Sequence, residues 1–199
     1  MMSKHGEEKS AFNQLRHSKP VGITLVFAAL FLTGRWLVEV PTIHPDRLKA
    51  LQTKTNATAL LQALEGFYFE YKAQPKVASK GADLVTEGQD GIELLTVLLG
   101  KGEVTNAMEN KKQIRFLTVE ETKRKDKGGL FYSRSGTDAL PEGLYDAWGH
   151  PFHIRFASEP SWEIPDPFKP GQIVRDKSII VYSYGKNGKP GDEDDIKSW

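Results

Sequence analysis

LLQALEGFYFEYKAQP, residues 60–75, is the stretch on which the fold turns. Leu61, Leu64, Phe67, Tyr68 and Tyr71 recur at three- and four-residue steps, as they must on one face of a helix with 3.6 residues per turn. Leu48 and Leu51 extend the stripe backwards, so the spacing predicts an amphipathic helix from Asp46 to about Lys72. A polar gap from Thr53 to Thr58 weakens its middle, and Gln74-Pro75 ends it. Ahead of it, Pro41 and Pro45 kink or briefly break the chain.

Downstream the texture changes. Residues 76–89 read as loop, and Asp90 with Glu93 offers a capping box before IELLTVLL, which closes on Gly100 as a C-cap. IRFLTV (114–119) reads as a strand, whereas ETKRKDKGG (121–129) reads as a charged, solvated loop. That basic cluster lacks interleaved aromatics and is offset by acids, so no nucleic-acid partner is expected. PFHIRF (151–156) alternates and SIIVYSY (178–184) is the strongest strand, with the proline-rich EPSWEIPDPFKPG between them as an irregular connection. The expected class is α+β, a long N-terminal helix packed on a small, mostly antiparallel sheet.

Composition permits this. The 199 residues are 39% apolar and 27% charged with a net charge of +1, an ordinary globular balance with no bulk field to recruit nucleic acid or acidic lipid. There is no cysteine, which removes disulfides, thiol catalysis and thiolate-bound metals. The exception to the average is VGITLVFAALFLTGRWLVEV, residues 21–40. Twenty helical residues span roughly 30 Å, the thickness of a bilayer core. Arg35 and Trp36 near its end suit the headgroup region. A membrane anchor is the leading reading. A cleaved secretory signal wants an A-x-A site that does not follow, and a buried soluble helix is seldom apolar all round for this length. Lysines and arginines are nearly balanced on its two sides, so charge marks orientation weakly.

SYGKNGKPGDEDDIKSW, residues 183–199, closes the chain with an acidic, glycine-rich loop and a tryptophan. Asn187, Asp192, Glu193, Asp194 and Asp195 offer side-chain oxygens, and Gly185, Gly188 and Gly191 let carbonyls turn inward. A hard cation such as calcium takes such a set, and it would relieve repulsion among adjacent carboxylates. The EF-hand spacing is absent. On chemistry alone, a calcium loop and a plain acidic turn stand level.

With its apolar N-terminal run, its helix LLQALEGFYFEYKAQP, the block DAWGHPF (146–152) and this ending, the chain resembles the major pseudopilin of type II secretion systems, the G-type subunit. The resemblance covers the helix and the last third of the chain, and is loose over residues 76–143. It implies a pilin-like fold with a partly transmembrane helix and a calcium-type C-terminal loop. It implies a leader (1–22) cut between Gly22 and Ile23, a transmembrane helix (23–40) and a periplasmic domain (41–199). It places the protein in the inner membrane as a single-pass subunit of a secretion pseudopilus. Its partners would be other copies of itself, minor pseudopilins, the inner-membrane secretion platform and the prepilin peptidase. Calcium would be held by the side chains of Asn187, Asp194 and Asp195 and by the carbonyls of Tyr184 and Asp192. Asn187 stands where the family has an aspartate, which removes one charge from the set. Trp199 becomes a packing residue that anchors the loop.

The N-terminus departs from the pattern. Phe27 stands in place of the family's glutamate, and Arg35 lies inside the helix. Both favour an alternative, a membrane-anchored pilin-like binding or regulatory domain that does not polymerise. No enzyme is expected. His150 and His153 fall on opposite faces of the strand pattern in PFHIRF, too far apart for one metal, and no P-loop, G-x-S-x-G or H-E-x-x-H occurs.

Overall fold

In the computed structural model, the structure describes residues 44–80, 83–101, 109–134, 136, 139–157 and 163–199, all within the compact unit Ile43–Trp199. The leader, the apolar run, Gly22, Ile23, Phe27 and Arg35 lie outside the described residues. Among the described residues no helix is long and apolar enough to cross a membrane.

Helix α1 spans Pro45–Tyr71. Pro45 opens it because a proline has no amide hydrogen to waste at the first position and its φ is already helical. Lys72 closes it in a left-handed conformation (φ 53°), its amide donating to the Tyr68 carbonyl. The buried face keeps part of the stripe that the spacing suggests, Leu64 and Phe67 with Leu61 and Tyr71 packed beside them, but not its first turns. Thr53, Asn56, Ala57, Leu60, Ala63, Leu64 and Phe67 face the core, while Leu48 (51%), Leu51 (64%) and Tyr68 (50%) are exposed. The polar gap is therefore part of the buried seam. Small side chains at 53, 56 and 57 let the sheet come close, and the leucines of the first two turns are left outside.

Helix α2 spans Gly88–Leu98 with Glu87 at its N-cap, three residues earlier than the Asp90 cap implies. Its C-terminus is a Schellman motif. The Gly100 amide donates to Val97 O (3.1 Å), the Lys101 amide donates to Thr96 O (3.0 Å), and Gly100 has the left-handed φ of +65° that the motif requires. IRFLTV is not a strand. Its Phe116 and Leu117 amides are spent on the Leu98 carbonyl (2.8 and 3.1 Å), so the segment caps α2 instead of joining a ladder. The buried Asn110 fixes this corner. Its amide nitrogen donates to Val97 O and Ile114 O, and its oxygen accepts from Tyr71 Oη and Ile114 N.

The main sheet contains β1 (Leu84–Val85), β5 (His153–Phe156), β8 (Ile179–Ser183) and β9 (Ile196–Lys197), antiparallel throughout in the order β1-β5-β8-β9. A second sheet pairs β2 (Glu121–Thr122) in parallel with β3 (Gly129–Phe131), and β3 antiparallel with β4 (Gly143–Tyr145). The charged stretch 121–129 thus supplies β2 and the first residue of β3. The proline-rich connection also contains structure, a hairpin of β6 (Ile164–Pro165) and β7 (Ile173–Val174). All five residues of β8 are buried because both faces of the strand are covered. Ile179 and Val181 meet α1 and α2 in the main core, whereas Ile180 and Tyr182 join a second cluster with Ile164, Val174 and Trp199.

Candidate metal centre

The chain leaves β8 at Ser183, turns through residues 184–195 and returns as β9, which pairs Tyr182 with Lys197 and Ser183 with Ile196. A buried carboxylate holds the base of this loop. Asp146, fully buried, accepts amide hydrogens from Trp148 (2.8 Å) and His150 (2.9 Å) on Oδ1 and the Ser183 hydroxyl on Oδ2. Ser183 Oγ in turn accepts from the Gly185 amide (3.0 Å), and His150 Nδ1 lies 2.8 Å from the Gly185 carbonyl. Gly185 has φ +62°, and a Cβ on it would overlap the carbonyl of Asp194, so only glycine lets the two arms of the loop meet. On the loop's other side the His150 ring comes within 3.0 Å of where a Cβ on Gly188 would sit, a tight contact.

The acidic side chains converge inside this frame. The Asn187 amide donates to Asp194 Oδ2 (2.9 Å), and the Asn187 side-chain nitrogen donates to Asp192 Oδ2 (2.5 Å). The Asp194 amide donates to Asp192 Oδ1 (3.1 Å), and the amides of Gly191 and Asp192 both donate to Asp195 Oδ2 (2.8 and 3.1 Å). Hydrogen bonding to Asp194 and then to Asn187 holds Asp192 below the ordinary carboxylate range. Asp195 is pushed the other way, chiefly by burial. Two carboxylate oxygens, Asp194 Oδ1 and Asp195 Oδ1, are buried without a hydrogen-bond partner. A buried carboxylate oxygen without a donor is costly, and a hard cation is one group that meets its need.

Of the five residues singled out for calcium, the fold gathers the side chains of Asn187, Asp192, Asp194 and Asp195 in one hydrogen-bonded loop. The ring of Tyr184 points into the aromatic cluster, 4.4 Å from His153 and 6.1 Å from Phe168 between ring centroids. The Asn187 side-chain oxygen is engaged by the Lys189 amide (2.6 Å). Among the described residues no three His, Cys, Asp or Glu side chains form a ready-made metal cluster. A cation here would therefore depend on amide and carbonyl oxygens beside the two aspartates. Trp199 packs on Phe168 (6.0 Å) and meets Tyr182 edge-on (6.1 Å), so the last residue is clamped over the second core.

Sequence reasoning missed the supports of this loop. In the sequence Asp146 stands out only as the first residue of the block DAWGHPF, and His150 is weighed only as a metal ligand. The available signal was the Asp-x-Trp-Gly-His order, in which an aspartate can take the amides two and four residues ahead. His153 has different surroundings from His150. It stacks on Tyr182 at 5.2 Å, and burial lowers its pKa. Comparison with family models, with curated proteins and with solved structures returned no match for this chain.

Proposed function

We propose that this chain is a structural subunit of a type II secretion pseudopilus, with a pilin-like fold, anchored in the inner membrane by residues 23–40 and closed at its C-terminus by a calcium-binding loop. The observation that carries the reading is the pair of buried, unpartnered oxygens on Asp194 and Asp195 inside a loop braced by Asp146, Ser183 and His150. Asn187, Asp194 and Asp195 would hold the ion through their side chains, with the carbonyls of Tyr184 and Asp192. Bound calcium would supply the positive charge and the partner that the two unmet carboxylate oxygens lack. The chain itself does the positioning. Gly185 lets the arms touch, Asp146 orients the base of the loop through Ser183, and β9 with Trp199 holds its end. Extension of a fibre by addition of such subunits at the membrane is the work envisaged, and no group is called on for catalysis.

The test is a thermal melt of the full chain in detergent, with excess calcium and again with chelator. At a hundredfold excess over the dissociation constant, native-state binding adds about 2.7 kcal/mol, which raises the melting temperature by several degrees. The rise should vanish in Asp194→Ala and in Asp195→Ala. An unchanged melt at millimolar calcium would reduce the loop to an acidic turn. The second reading, an anchored domain that does not polymerise, is favoured by Phe27 and Arg35. The mass of the chain purified from membranes separates the two, since a processed filament subunit begins at Ile23 and a fixed anchor keeps residues 1–22.

A further inference from the structure

A groove of ≈ 450 Å³ runs between the first turns of α1 and the segment leading into β2. Its walls are Leu48, Leu51 and Thr55 on one side and Thr118, Val119 and Glu120 on the other. Leu48 and Leu51 are half or more exposed although they sit on a helix whose opposite face is fully packed. The β2 side is an open strand edge. Leu130 N bonds Glu120 O and Tyr132 N bonds Thr122 O, so the main-chain groups of Glu121 between them point away from β3. Glu120 is exposed and has no ion-pair partner among the described residues.

Elsewhere the same chain presents a complementary edge. Among the described residues β7 is paired on one side only, in the two-stranded hairpin with β6. Opposite Ile173 stands Pro165, which has no amide hydrogen and whose carbonyl is taken by Arg155 (2.9 Å). The main-chain groups of Ile173 therefore face outwards. Its side chain is 43% exposed while that of Val174 is buried. Arg175, two residues on, is exposed and has no described acidic partner.

We propose that the hairpin edge at Ile173 of one copy docks in the α1–β2 groove of a second copy, with Ile173 against Leu51 and Val119 and Arg175 against Glu120. The two surfaces are different, so the contact is head-to-tail and leaves a free groove and a free edge at the two ends of every dimer. Such heterologous contacts extend into open chains. Strand addition gives main-chain hydrogen bonds, the leucine-lined wall takes the alternate apolar side chain, and the ion pair sets the register. The contact rests on the reading of a fibre subunit and names one of its interfaces; because neither the cation loop nor the apolar run takes part, its failure would leave the calcium and processing tests of that reading untouched.

The chain has no cysteine, which makes cross-linking clean. Full-length Leu51→Cys and Ile173→Cys chains are mixed in detergent and oxidised, with Leu140→Cys and Ile173→Cys as the control pair, because Leu140 is also exposed (49%, against 64% for Leu51) but lies off the groove. The expected result is a mixed disulfide dimer for the first pair well above the control. Adding Arg175→Glu to the Ile173→Cys chain should cut its yield at least about threefold, as loss of one exposed ion pair and gain of a repulsion would. Glu120→Arg in the Leu51→Cys chain should restore it. Equal yields for the two pairs would overturn the proposal, as would failure of the charge swap to rescue. Dominant Leu51–Leu51 dimers would also overturn it by assigning a symmetric helix contact to this face.

Discussion

Thr53 and Asn56 lie on the same buried seam of α1 and meet opposite circumstances. The Thr53 hydroxyl accepts from the Ala147 amide (3.1 Å) and so ties the helix to the turn that carries Asp146 and His150. The Asn56 side-chain nitrogen is buried without a partner. Thr53→Val should therefore destabilise the unit by about 1–3 kcal/mol, because it strands a buried amide. Asn56→Ala should stay within about 1 kcal/mol of the parent, since loss of an unmet donor offsets the void it leaves. Denaturant midpoints with unchanged m values would check both, and an equal loss in the two variants would contradict the assignment. Neither role was legible in the sequence. A threonine and an asparagine in a leucine-poor stretch read as solvent, because burial of a small polar residue depends on what packs opposite it.

At the scale of elements, the β1 edge of the main sheet is held by charge as well as by its ladder. Just before β1, Asp83 makes a double contact with the Arg155 guanidinium on β5 and accepts from the fully buried Tyr182 hydroxyl on β8 (3.0 Å). The Arg155 contact, foremost, holds the Asp83 carboxyl below its ordinary value of 3.8, while burial and the nearby Asp83 charge push the Tyr182 phenol well up. At acid pH the native Asp83 thus binds fewer protons than it does in the unfolded chain. Its contribution to stability is present above pH 3.8 and is lost as pH falls from there through the lowered native value. Melts taken across that acid window should show the parent losing stability faster than Asp83→Asn, with the gap closing below it. Parallel curves would remove Asp83 from the account. Of the strands here, β5 and β8 were read as strands, since alternation in PFHIRF and the apolar run in SIIVYSY are local signals, whereas β1 falls in residues 76–89, which read as loop. IRFLTV shows the limit of such signals. Its amides were claimed by the open end of α2, and no local pattern records that competition.

On the scale of the whole unit, the first turns of α1 and the C-terminal end hold each other. Asp46 pairs with Lys186 in the closing loop (2.8 Å), Lys54 reaches the Lys197 carbonyl in β9, and the Ser198 hydroxyl accepts from the Val181 amide (2.9 Å). Trp199 completes the clamp on the second core. Trp199→Ala should cost about 2 kcal/mol, less than the 3–5 of a fully buried ring because this one is half-buried. If calcium binds the loop as proposed, the variant should also lose part of its calcium response, although every candidate ligand is intact. A full calcium-induced rise in a destabilised Trp199→Ala chain would show that ring and loop act independently.

By itself the sequence determined what depends on neighbours along the chain: the α+β class, a helix ending at Tyr71, the glycine stop at Gly100, the two strongest strands and the acidic, glycine-punctuated character of the last loop. Those features follow from hydrophobic period, backbone freedom and local charge, which are written into adjacent residues. Only the tertiary structure decided which face of α1 is buried, that Asp146 and His150 brace the closing loop, and that Asp194 and Asp195 each keep one oxygen unmet. Each of these is a matter of which distant groups arrive to fill, donate or exclude, and burial and hydrogen bonding between segments up to 143 residues apart are settled only when the chain has closed on itself.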